Sequence, residues 1–67
     1  MSNYAEQLAE KVFKINPDLV LENEILNIGY KIAIEDLPKK HVNYMFSYNE
    51  DFPADFISAY SWIKNNS

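Results

Sequence analysis

Residues 17–35, PDLVLENEILNIGYKIAIE, carry a long apolar periodicity, and its reading decides the fold. At about 100° per residue, Leu21, Ile25, Ile28 and Ile32 fall within a narrow arc, which Leu19, Leu26, Tyr30 and Ala33 widen to roughly half the circumference. A helix with so broad an apolar face needs neighbours on more than one side, so the spacing predicts a central helix over 17–35. Gly29 and Ala33, at i and i+4, form a smooth strip where another backbone could come close. Gly29 is the chain's single glycine, and a mid-helix glycine costs about 1 kcal/mol relative to alanine, so its presence there points to close packing. The same residues also alternate: Ile28, Tyr30, Ile32 and Ile34 against Gly29, Lys31, Ala33 and Glu35. Paired with the Val-, Tyr- and Phe-containing stretch after His41, that alternation would give a hairpin around 28–48, an α+β alternative. The helical period spans the longer window and is preferred.

Outward from this stretch, proline and acidic or amide residues mark the helix boundaries. Asn3 is placed to cap a first helix from about Tyr4 to Ile15, with Glu6 three residues on. Tyr4, Ala5, Leu8, Ala9, Val12 and Ile15 share one face of it. Glu6, Gln7, Glu10, Lys11 and Lys14 share the other, most simply a solvated surface. At Asn16-Pro17 this helix must stop, because the residue before proline is pushed out of the α region; Asn16 as cap, Pro17 as first residue and Asp18 near the positive end would start the second. Glu35-Asp36-Leu37-Pro38 repeats the pattern, with Asp36 as cap of a third helix through Tyr48 whose inward residues are Val42, Met45 and Phe46. Asp51 caps a fourth, with Phe56, Ala59, Tyr60 and Ile63 inward and Ile57 at the edge. No repeat or linker interrupts the chain, so residues 1–67 read as a single small helical domain, all-α with four helices.

Sixty-seven residues bury only about 60% of their unfolded surface, and there is no cysteine to cross-link them. Dense packing or self-association must make up the difference. The net charge is −4 and all six basic residues are lysine; without an arginine fork, guanine readout and bidentate phosphate binding lose their usual instrument. No basic segment followed by an apolar run opens the sequence, and no stretch approaches the roughly 20 apolar residues of a membrane span. The expectation is a cytoplasmic protein with no membrane partner.

Catalytic and cofactor chemistry find no foothold. His41, the one histidine, follows two lysines that disfavour its protonation and repel a cation, and no nearby spacing supplies a carboxylate or nucleophile to work with it. The serines lie outside any glycine-flanked elbow, and one glycine cannot build a phosphate-cradling loop. The acidic residues lack the spacing of a calcium loop. Lys39-Lys40-His41 heading a short helix resembles a helix-turn-helix recognition element in outline only. These residues therefore predict no catalytic, metal or cofactor site, and a non-enzymatic regulatory or inhibitory protein that binds another protein or a second copy of itself. A small dimeric DNA-binding regulator is the runner-up, and an acidic DNA mimic a further alternative; the charge balance argues against a nucleic-acid partner. Trp62 is the residue that carries the binding expectation. Its helix points Phe56, Ala59, Tyr60 and Ile63 inward, which leaves Trp62 about 100° or more away, beside Asp55 and Ser58. It either covers a gap in the core or anchors a partner, with Tyr48 and Tyr44 extending the patch.

Overall fold

The computed structural model describes residues 3–67 and is all-α; Met1 and Ser2, included in the single-domain reading, lie outside the described residues. Helix α1 spans Tyr4–Ile15 and begins as its sequence requires: Asn3 is extended, and its side-chain oxygen accepts from the Glu6 backbone N–H at 2.9 Å. Ala5, Leu8, Ala9 and Val12 are buried along one stripe, with Leu8, Ala9 and Val12 shut off from solvent entirely. Two of the four are alanines, so a neighbouring helix can approach closely. That neighbour is α4, Asp51–Asn65, which makes the most extensive packing in the molecule with α1. Tyr4 stacks on Phe52 and Phe13 meets Tyr60 edge-on, at ring separations of 6.1 and 6.0 Å, so the two helices run parallel.

The expectation of a central helix over 17–35 is corrected in two respects. The second helix, α2, spans Glu22–Asp36 and starts five residues later than Pro17. Residues 17–21 are not helical because α4 uses their backbone. The Tyr60 hydroxyl accepts from Leu19 N–H at 3.1 Å and donates to the Asn16 carbonyl at 2.8 Å, and Lys64 Nζ donates to the Leu19 carbonyl at 2.9 Å. One more helical turn gains little on its own, whereas the extended path satisfies three polar groups and inserts Leu19 into the core. Asn16 accordingly ends α1 and does not cap α2. The second correction concerns position: the most extensive packing is between α1 and α4, and α2 lies against that pair. Of α2, only the row Ile25, Gly29 and Ala33 is fully buried, with Ile28 and Ile32 half-buried and Leu21 exposed.

Gly29 and Ala33 do form a packing strip, and what lies on it is the Phe56 ring. A Cβ built on Gly29 would sit 2.4 Å from Phe56 Cζ and 2.6 Å from Cε2. Phe56 itself is enclosed by Phe52 in a stacked arrangement at 6.4 Å and by Phe46 edge-on at 6.1 Å.

Pro38 precedes α3, Lys39–Asn43, in place of the expected Asp36, which is the last residue of α2. α3 buries Val42 and passes directly into one π-helical turn, Tyr44–Tyr48, so the third helix through Tyr48 is continuous but not uniformly α. The wide turn is looser than an α turn and persists where packing demands it. Here Phe46 wedges edge-on between Tyr30 and Phe52, at 5.5 and 5.2 Å, while the Tyr30 hydroxyl donates to the Asn43 side chain. Asn49 closes the turn and accepts from the Asp51 N–H at 3.1 Å, launching α4. No strand occurs among the described residues, so the hairpin around 28–48 is not formed.

Candidate partner-binding groove

In α4 the positions Phe52, Phe56 and Tyr60 repeat every four residues and are buried against α1 and α2. Trp62 follows Tyr60 by two, about 200° around the helix, and so faces the opposite way. It is 67% exposed. Asp55 and Ser58, seven and four residues earlier, lie on the same strip of helix. Because α1 runs parallel alongside, its outer face brings Glu6 and Glu10, themselves one turn apart, to the same side. The result is a groove of about 520 Å³ between α1 and α4, with Ala59 and Ile63 on the apolar side, Asn3 at one end, and Glu6, Glu10, Asp55, Ser58 and Trp62 around it.

None of the lining residues is cationic. The one ion pair among the described residues lies elsewhere, between Lys11 and Asp36 at 2.5 Å, and it is open to water that screens it. The Asp36 carboxylate accepting from Lys11 holds that ammonium above its ordinary pKa. Glu6, Glu10 and Asp55 thus share a groove that no cationic side chain lines. They also do not converge: no group of three His, Cys, Asp or Glu among the described residues is arranged to hold a metal ion.

Tyr44 and Tyr48 are 59% and 77% exposed and lie together, rings 6.5 Å apart and tilted by 31°. They do not extend the Trp62 patch. Trp62 lies about 16 Å along α4 from Asp51, at 1.5 Å per residue, and nothing from α3 or the π turn lines its groove. Lys39, Lys40 and His41 are exposed ahead of the two tyrosines, but the α-helical part there is five residues long, which lends a helix-turn-helix reading no support. Of the groove residues, Trp62, Asp55 and Ser58 follow from the sequence. Glu6 and Glu10 do not, since only the parallel pairing of α1 with α4 brings them to the tryptophan.

No helix among the described residues is long and apolar enough to cross a membrane. Compared with protein-family models, with curated proteins and with solved structures, the chain matches none. The functional reading therefore stands on the groove itself.

Proposed function

We propose that this chain is a small non-enzymatic regulatory or inhibitory protein, acting in the cytoplasm by binding another protein across the groove between α1 and α4. The observation that carries the reading is Trp62, a large aromatic held out of a core that had eleven other buried hydrophobic positions to fill. Leaving an indole in water forgoes a large burial gain, whereas aromatic anchors of this kind dominate interface energetics and lose little side-chain entropy on binding. The described polar side chains outside the groove act as caps, solvated faces or ties to distant backbone and side chains, and among the hydrogen bonds they make none joins a nucleophile to a base, which supports a binding role over catalysis.

The test is a photo-crosslinking residue in place of Ser58, in cells that produce the protein. A discrete adduct is expected, and Trp62→Ala on the same background should abolish it while circular dichroism stays unchanged. A crosslinker at Asn27, exposed on α2, serves as the control. Adducts that survive Trp62→Ala, or that form equally from position 27, would remove the groove as the binding face.

A further inference from the structure

We infer that the groove's occupant is a cationic segment of another protein, seated with an arginine guanidinium flat against the Trp62 indole; this rests on the groove being the binding face. Glu6 and Glu10 on one wall and Asp55 on the other present three carboxylates with no cation among the lining residues. Like charges on the two walls of one groove repel, and an incoming positive chain relieves that repulsion as it binds. The carboxylates are not gathered into a metal site, so their field suits charge spread along a segment. At their edge stands an exposed indole, the aromatic face that binds cations best.

Arginine fits both walls better than lysine. Its planar guanidinium stacks on an aromatic face while its edge donates paired hydrogen bonds to a carboxylate. A second copy of this chain could not supply it, because all six of its basic residues are lysine. Nucleic acid is disfavoured for the opposite reason, since phosphates would meet three carboxylates.

Trp62 is the chain's only tryptophan, so its fluorescence reports on the groove alone. The full chain is titrated with three decapeptides in which serine alternates with arginine, lysine or glutamine. The arginine peptide should perturb the emission and bind at least about threefold more tightly than the lysine peptide, with no response to the glutamine peptide. Glu6→Gln/Glu10→Gln/Asp55→Asn should weaken binding by about tenfold or more. Glu22→Gln/Glu24→Gln/Glu35→Gln removes the same net charge from α2 and should leave binding nearly unchanged. An emission unmoved by the arginine peptide, or equal losses in the two variants, would overturn the cationic occupant. So would dimerisation that Trp62→Ala abolishes, which would make a second copy the occupant. A Trp62-dependent adduct at position 58 would uphold the groove even then, whereas absence of that adduct removes both readings.

Discussion

Two tyrosine hydroxyls in this small core have opposite consequences. Tyr60 is buried, and its oxygen both accepts from Leu19 N–H and donates to the Asn16 carbonyl. Tyr60→Phe strands both groups and should destabilise the chain by about 1–3 kcal/mol. The Tyr4 hydroxyl is shielded from solvent with no hydrogen-bond partner among the described residues, so Tyr4→Phe removes an uncompensated polar atom and should be neutral or stabilising in urea unfolding. Burial raises the Tyr60 phenol above its ordinary 10.0, with Asp18 adding to the effect and the Leu19 N–H opposing it. The folded state therefore holds this proton more tightly than the unfolded chain, so the stability it contributes is complete below the ordinary pKa and is lost as pH rises through the raised one. Tyr60→Phe should lose less stability than wild type across that alkaline window; an identical alkaline decline in the two proteins would contradict the assignment. Gly29 is the other decisive residue. In an ordinary helix Gly29→Ala would gain about 1 kcal/mol, but here the new methyl group meets the Phe56 ring at 2.4 Å. Phe52 and Phe46 hold that ring in place, so Gly29→Ala should instead destabilise by about 1–3 kcal/mol and Gly29→Leu by more than about 2 kcal/mol. Combining Gly29→Ala with Phe56→Leu should cost less than the two changes summed, and strict additivity would rule out the contact.

At the scale of elements, the cap of α1 is readable from the sequence, whereas Asp36 and Asp51, which look like caps, lie inside α2 and α4, and the residues recruited by distant partners leave no local signal. Asn3 caps α1 as its position before an apolar stripe implies, and Phe56 and Tyr60 are buried in α4 as its period implies, whereas Phe52 joins them from outside the expected set and Ala59 and Ile63 are half-buried at the groove. Pro17 satisfied every local rule for a helix start, yet α2 begins at Glu22. The deciding groups, Tyr60 and Lys64, lie more than forty residues further along the chain, and no local pattern announces them. The α1–α4 pairing is hidden for a similar reason: the buried row of α1 contains two alanines, which look modest as hydrophobes but allow close packing. Nor does Tyr44 to Tyr48 signal a π turn in its sequence; that turn coincides with the edge-on packing of Phe46 between Tyr30 and Phe52. Amide hydrogen exchange tests this account of residues 17–21. Val20 and Leu21 should exchange at loop rates while Leu19, bonded to Tyr60, is protected; protected Val20 and Leu21 beside an unprotected Leu19 would restore a helix starting at Pro17, whose first N–H groups have no acceptor within the helix.

For the molecule as a whole, a net charge of −4 says less than its placement does. Three carboxylates and an exposed indole share one groove, while Lys39 and Lys40 stand exposed on α3 with Tyr44 and Tyr48 beyond them. The tryptophan half of the groove was legible because helical geometry alone turns Trp62 away from Tyr60. The glutamate half depended on how α1 and α4 are aligned, a tertiary fact. The central claim is that Trp62 is open to solvent in the free chain and covered when the protein acts. Fluorine NMR of the chain labelled with fluorotryptophan gives a single resonance, because there is one tryptophan. The free protein should show it near the position of solvent-exposed indole and sensitive to a paramagnetic quencher. In the complex formed with the partner captured at position 58, it should shift and become protected from that quencher. A resonance already shielded in the free chain, or one unchanged and still quenched in the complex, would contradict the account.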